Sequence, residues 1–357
     1  MSFSFNSWLE QGSIIGKVGK WVEVHWGKPT PAQREALTTG PAFFHTTFFR
    51  DGSEPWLQYP NSQKFLWKDW KTLVVDELKR QVIDKAAETA EAAENNWEEP
   101  SEAAFKKVFQ DIKKEIKSKK IQKAVPIVTA QAAKTIPPSL AILRALKMSP
   151  VNTYVYGHWH KEHGFFGFSP EVLFLRENKN VIKTMALAGT RKKEHYLQDP
   201  EDFLRDPKEL KEHQYVVDDI VNRLKDFGKT KVGKTAFLEL NYLTHLYTPL
   251  QVTTTADISF EQMIAALHPT PALGIVPREQ MELLKKWRHQ SDILGAPFGI
   301  RWSATEYLCL VAIRKIQWDS KHYFIGNGCG IVEESQFAEE WQELRAKRDS
   351  VRKTFQL

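Results

Sequence analysis

Three runs sit close together in one stretch of the chain: Asn152-Thr153-Tyr154-Val155-Tyr156-Gly157, then Gly164-Phe165-Phe166-Gly167-Phe168, then Val172-Leu173-Phe174-Leu175-Arg176. Each is rich in aromatic and β-branched residues, and Gly, Ser and Pro punctuate them, so each reads as a strand. Strands this close along the chain read as hairpin-like and pair antiparallel. Upstream, Trp21-Val22-Glu23-Val24-His25-Trp26 and 43–49 are strand-like, which makes residues 1 to about 67 β-rich. A strand is also expected from Ile121 to Val128. Downstream, strands are expected at 235–240, 306–316 and 322–326.

Helical spacing intervenes. Trp70, Leu73, Val74, Leu78 and Val82 recur at three and four residues, which predicts a helix from Lys68 to Ala93. Ser101 followed by Glu102 suits the start of a second helix. Longer helices are predicted at 206–227, with Gly228 as a stop, and at 336–351. Antiparallel hairpins with interspersed helices and no regular βαβ spacing give an α+β fold with large antiparallel sheets. The most biased segment is the acidic, alanine-rich Ala86 to Glu99, and no internal repeat is visible.

Composition narrows the function classes. The chain has 357 residues, 42% hydrophobic and 26% charged, which reads as globular and soluble. No apolar run is long enough to span a membrane, and Met1 to Gly16 lacks the basic start and apolar middle of a signal peptide. Cys309 and Cys329 make neither a disulfide framework nor a zinc set, and a reducing cytoplasm fits them. The net charge is +6, with eight lysines between Lys106 and Lys123. Acidic residues are interspersed there and aromatic interleaving is missing, so a solvated helix face is the plain reading and nucleic acid is not an expected partner. A mild positive field also helps capture a small dianion.

Two helices each carry a Glu-x-x-Glu pair. On 206–227, Leu210, His213, Val217, Ile220 and Leu224 form an apolar stripe, flanked by Glu209 and Glu212. On 336–351 the stripe is Phe337, Trp341, Leu344 and Val351, flanked by Glu340 and Glu343, with Lys347 one turn on. Clustered carboxylates repel unless a cation or proton joins them, and a hard divalent ion that keeps several waters suits such a set. Glu343 and Lys347 also fit an ordinary surface pair worth about 0.3–0.5 kcal/mol.

Strands supply further candidates. Alternation places Lys123 on the face of Ile121, Val125 and Ile127, where it either snorkels or is desolvated enough to act as a base. Glu171 opens a strand beside Leu173 and Leu175; there it is either a strand-end charge or a protonated general acid. Arg314 ends the run from Leu308 and shares its face with Leu310 and Ala312, which suits carboxylate binding or an edge position. Gly326-Asn327-Gly328-Cys329-Gly330 has the wrong spacing for a dinucleotide fingerprint; it fits a turn or a backbone cup for a carboxylate, as does Ala188-Gly189-Thr190.

In order along the chain stand Gln122-Lys123-Ala124-Val125, Ser169-Pro170-Glu171, Ala186-Leu187-Ala188-Gly189-Thr190-Arg191, Lys208-Glu209-Leu210-Lys211-Glu212-His213, His268-Pro269-Thr270-Pro271-Ala272-Leu273, Ile313-Arg314, Gly328-Cys329-Gly330-Ile331-Val332 and Glu340-Trp341-Gln342-Glu343 with Lys347. In this order they resemble the chorismate-binding enzymes, which comprise isochorismate, salicylate, anthranilate and aminodeoxychorismate synthases. The similarity spans roughly 101–357, leaving 1–100 as an N-terminal β-rich part of the same fold.

The resemblance implies a sandwich of large antiparallel sheets with helices outside, as in anthranilate synthase component I. It implies Mg2+ held by Glu212 and Glu343 with Glu209 and Glu340 behind them. It further implies chorismate bound near Gly189, Thr190, His268, Arg314, Gly328 and Lys347. Lys123 matches the base that activates water for attack at ring carbon 2, and Glu171 the acid that assists departure of the carbon-4 hydroxyl. Ammonia-using members usually carry glutamine where Lys123 stands, so the expectation is an isochorismate synthase with no glutaminase subunit, a monomer or weak dimer. Leu243-Thr244-His245-Leu246 with Thr248-Pro249 looks like the isochorismate synthase pattern.

There are departures from the family pattern. Ala186 replaces a common proline, Gln251-Val252 a common Glu-Gly, and Leu344 a common threonine; Leu294 and Ala296 stand where an aromatic and a glycine are usual. These put loop geometry and pocket shape in doubt, and remove no catalytic group. The alternatives are a salicylate synthase, which goes on to eliminate pyruvate, and a paralogue that binds chorismate-like anions without turnover. The product route, menaquinone or siderophore, stays open.

Overall fold

A computed structural model describes residues 3–32, 40–50, 55–86, 96–288 and 293–357. Two antiparallel sheets dominate. The first runs, in spatial order, through Asn61–Leu66, Trp21–Trp26, Gln11–Lys17, Tyr154–His160, His163–Ser169, Lys315–Trp318, His322–Gly328, Ile127–Ala133 and Trp97–Glu98. The second runs through Gly228–Val232, Leu243–Thr254, Val181–Lys192, Val172–Asn178, Tyr307–Val311, Pro297–Arg301, Ala42–His45, Trp56–Gln58 and Thr30–Pro31.

The sheets face each other. Ile15, Tyr156 and Phe165 of the first pack with Phe43, Val172, Phe298 and Leu308 of the second in one buried layer. Ring centroids of Tyr156 and Phe298 lie 5.6 Å apart across it. Helices cover the two outer faces. Phe5–Glu10, Trp67–Ala86 and Pro138–Met148 pack on the first sheet through Trp8, Trp70, Val74 and Leu143. Glu102–Lys117, Pro207–Leu224 and Phe260–Leu267 pack on the second through Phe105, Ile112, Val216, Ile220 and Met263. The architecture is α+β with the helices outside, and N-terminal strands belong to both sheets.

Several elements differ from the sequence reading. The strand expected at Ile121 to Val128 is two, Lys123–Ala124 and Ile127–Ala133, because Pro126 cannot continue a ladder. The strand expected at 306–316 is also two. Tyr307–Val311 lies in the second sheet and Lys315–Trp318 in the first. Arg314 stands between them at φ 57°, so it changes sheets and shares no strand face with Leu308 and Leu310. The long strands Val181–Lys192 and Leu243–Thr254, paired over their whole length, were not expected. The helix expected from Lys68 spans Trp67–Ala86; 87–93 lie outside the described residues. Leu210 was expected in a buried stripe but is exposed, and Lys208, Glu209 and Glu212 are buried instead.

Among the described residues no helix is long and apolar enough to cross a membrane.

Candidate active site

The chain changes sheets twice at one place. Ser169-Pro170-Glu171 carries it from the first sheet to the second, and Ala312-Ile313-Arg314 carries it back. The two crossings are tied together. Ser169 Oγ donates to the Val311 carbonyl at 2.7 Å, and Val311 N–H donates to the Glu171 carbonyl at 3.1 Å. The Tyr156 hydroxyl donates to the Ile313 carbonyl at 2.8 Å. Where the sheets part, a cavity opens, lined by Glu171, Gly189, Glu212, Arg314, Gly328 and Lys347 among others. The cavity is small, about 70 Å³.

Its cations are held in place. Arg314 Nη1 lies 3.3 Å from Ser350 Oγ, and Nη2 lies 3.2 Å from His245 Nε2. Burial brings the guanidinium down to about 10. Lys347 donates to the Gly328 carbonyl at 2.8 Å and lies 2.5 Å from Glu343. Glu171 is 3% exposed, and burial raises its carboxyl to about 8 against the pull of Lys123 and Lys347. At neutral pH it therefore carries a proton and can donate it.

Beside this cavity four carboxylates meet. The helix Pro207–Leu224 begins on Asp206, whose side chain accepts from the N–H groups of Lys208 and Glu209, with Pro207 in the first turn. That start fixes Glu209 and Glu212 against Glu340 and Glu343 of Phe337–Phe355. Lys208 Nζ lies 3.0 Å from Glu209, 3.6 Å from Glu212, 3.2 Å from Glu340 and 3.6 Å from Glu343. Lys123 is fully buried, with Nζ 3.0 Å from Glu212 Oε1, so it does not snorkel. Burial raises Glu209 and Glu340, whereas Lys347 and Lys208 hold Glu343 low despite its burial.

Backbone shapes the cluster. Thr190 N–H donates to Glu209 Oε2 at 2.8 Å, and Gly189, at φ 80°, leaves room for that oxygen. A Cβ on Gly330 would stand 2.0 Å from Glu212 Oε1 and 2.8 Å from Lys123 Cε, so only glycine fits there.

The donor set suits a hard cation. Glu340 is fully buried, yet neither of its oxygens makes a hydrogen bond, and Glu212 Oε2 also lacks one. Such oxygens are costly to bury unless a cation meets them, and Lys208 Nζ is the cation that does so here, 3.2 Å from Glu340 Oε1 and 3.6 Å from Glu212 Oε2. Among the described residues no three His, Cys, Asp or Glu are grouped closely enough to hold a metal. The ammonium of Lys208 accounts for that spacing, since it stands where the four carboxylates converge. The set fits a divalent ion chemically, with Lys208 as the group that would have to give way.

The arrangement gathers most of the residues singled out in the sequence. Glu171, Gly189, Thr190, Glu212, Arg314, Gly328 and Lys347 line the cavity, and Glu209, Glu340 and Glu343 stand in the cluster next to it. Lys123 lies behind Glu212 and Gly330 and does not line the cavity itself. His268 is not brought to it. Its Nε2 meets the Phe48 carbonyl at 2.7 Å, behind the wall formed by Ala272 and Leu273.

Two residues escaped the sequence reading. Lys208 is the first; its place one turn before Glu212 was a usable signal. His245 is the second. It joins Thr190 Oγ1 at 3.1 Å and the Gly189 carbonyl at 3.0 Å through Nδ1, and burial, Arg314 and Lys347 lower it to about 3, so it is neutral. A histidine inside a strand carries no spacing signal that marks it.

Comparison with known proteins follows the same lines. A family model described as chorismate binding enzyme matches residues 36–355. Anthranilate synthase component 1 of Neisseria gonorrhoeae is 27% identical over 228 residues, 61% of this chain and 46% of that protein. Isochorismate synthase MenF of Haemophilus influenzae is 30% identical over 190 residues, 51% of this chain and 44% of that protein. The chain thus spans about half the length of the curated relatives it matches. A crystal structure described as a 2,3-dihydroxybenzoate-specific isochorismate synthase, DhbC, from Bacillus anthracis superposes with a TM-score of 0.80 at 18% identity, covering 98% of this chain and 97% of that one.

Proposed function

Because this chain belongs to the chorismate-binding enzyme family, we propose that it is a magnesium-dependent isochorismate synthase, an isomerase that acts on chorismate in the cytoplasm. The observation that carries this reading is the pairing of a proton-bearing Glu171 with Arg314 and Lys347 in one cavity, beside four converging carboxylates.

The chemistry follows from charge and proton placement. Chorismate is a dianion, and Arg314 and Lys347 are the cavity's cations for its carboxylates. Glu212 and Glu343, with Glu209 and Glu340 supporting them, would hold a divalent ion, which would supply positive charge for the ring carboxylate. Lys123 is the base that the resemblance implies: it takes a proton from water as the water oxygen bonds to ring carbon 2. Glu171 gives its proton to the carbon-4 hydroxyl, which departs as water while the double bonds shift. One water enters and one leaves, and the proton taken up at Lys123 returns to Glu171 by way of solvent to reset the pair. Each proton transfer is worth roughly 10²–10⁴-fold in rate.

The family also contains ammonia-using members. Lys123, 3.0 Å from Glu212, favours water here, because it stands at the position where the resemblance puts their glutamine. The test is direct: incubation with chorismate and Mg2+, then chromatography of the products. Isochorismate is the expected product. Salicylate with pyruvate would replace this reading with a salicylate synthase, and binding without turnover would leave only a chorismate-binding protein.

A further inference from the structure

The carboxylate cluster has a second side. Besides the cavity between the sheets, a wider hollow of about 480 Å³ reaches the cluster. Its floor is Lys208, Glu209 and Glu343, and exposed Asp199, Asp202 and Glu339 stand among its lining residues. Six carboxylates line this hollow against Arg191, Lys192 and Lys208. The substrate cavity is lined instead by Glu171 and Glu212 with Arg314 and Lys347. Thr190 lines both. The cluster therefore meets two openings, and the wider one is the more acidic.

We propose that divalent cations reach the cluster through this acidic opening, separately from the organic substrate. Field lines from a carboxylate-lined recess raise the local concentration of hydrated cations and repel a dianion. Four buried carboxyl groups share the one ammonium of Lys208, and a doubly charged cation would meet more of their oxygens at once, which gives it a reason to move inward past Lys208. Lys208 faces the hollow and has room there for its ammonium to move aside. In this arrangement a bound dianion does not trap the metal behind it, and the metal exchanges while the organic pocket is full.

The inference rests on the metal reading above, and the experiment separates the two. Mn2+ is the probe, and the loss of its free electron-paramagnetic-resonance signal on rapid mixing reads association with the full-length protein. Gln342, exposed on the lining of the hollow, is replaced in Gln342→Trp to narrow it. That variant is expected to slow Mn2+ association and dissociation alike, leaving the equilibrium affinity within about twofold. The double variant Glu339→Gln with Asp199→Asn is expected to slow association about threefold to tenfold at low salt, the lower end of electrostatic steering, and to flatten its salt dependence. Prior saturation with the 4-deoxy analogue of chorismate is expected to leave the association rate unchanged. Wild-type rates in both variants, or a rate that collapses to that of analogue dissociation, overturn the acidic route while leaving the metal site standing. Failure of Mn2+ to bind, or binding insensitive to Glu340→Gln, overturns both.

Discussion

At the scale of single residues, the site depends on protons kept where water would not keep them. Glu171 is an acid because burial removes water from its charged form. Its raised value, about 8, means the donating form prevails below that pH and disappears above it. Turnover is therefore expected to fall as pH rises through about 8, and Glu171→Gln is expected to lose roughly 10²–10⁴-fold in kcat with its circular dichroism unchanged. A pH–rate profile of both proteins checks this; a variant as active as the parent would remove Glu171 from the chemistry. Gly330→Ala tests the cluster from the other side. Its methyl group would displace Glu212 and Lys123, so Mg2+-dependent activity is expected to vanish and stability to fall by about 1–3 kcal/mol, read by urea titration.

The residue scale also shows what a sequence conceals. The Glu-x-x-Glu pairs were readable because their spacing puts both carboxylates on one helix face. For Lys208 only its pairing with Glu212 one turn on was readable; nothing along the chain says that it will also meet two glutamates from a helix far downstream.

Among elements, helices and hairpins were legible and crossings were not. The hairpins around Tyr154–His160 and His163–Ser169 carry aromatic runs bounded by turn residues, and the long helices carry a clear apolar period. Val181–Lys192 alternates only over its first half; from Ala186 to Gly189 it is buried on both faces, and its far end is polar. The change of sheet at Arg314 was invisible for another reason: an unbroken apolar run reads as one strand, and a single residue in the left-handed region divides it. At this scale Asp206 matters most. It caps Pro207–Leu224 and lies 3.0 Å from Arg191. Asp206→Ala is expected to cost about 0.5–2 kcal/mol of stability. It should also raise the Mg2+ concentration needed for half-maximal activity, because Glu209 loses its fixed start. Thermal melting and a metal titration measure the two effects.

For the whole molecule, the cluster couples stability to metal. Four carboxylates from two separate helices converge only in the folded chain, so a cation bound there binds the native state alone. Mg2+ at a hundred times its dissociation constant is expected to add about 2.7 kcal/mol, seen as a rise in melting temperature that chelator reverses and Glu340→Gln diminishes. An unchanged melting temperature across a wide Mg2+ range would argue against the site.

The double change of sheet has its own implication for what lengths of chain are permissible. Because Glu171 and Arg314 each occupy the brief span between one layer and the next, neither span has slack. The succeeding strand already slips in register between Val172 and Phe174, so one residue more or fewer between Ser169 and Val172 that is not taken up at that slip would turn its inward side chains outward. Insertions that the turns at the far ends of the same strands would absorb are thus forbidden here. The protein's chemistry and its layering share a single measure of length.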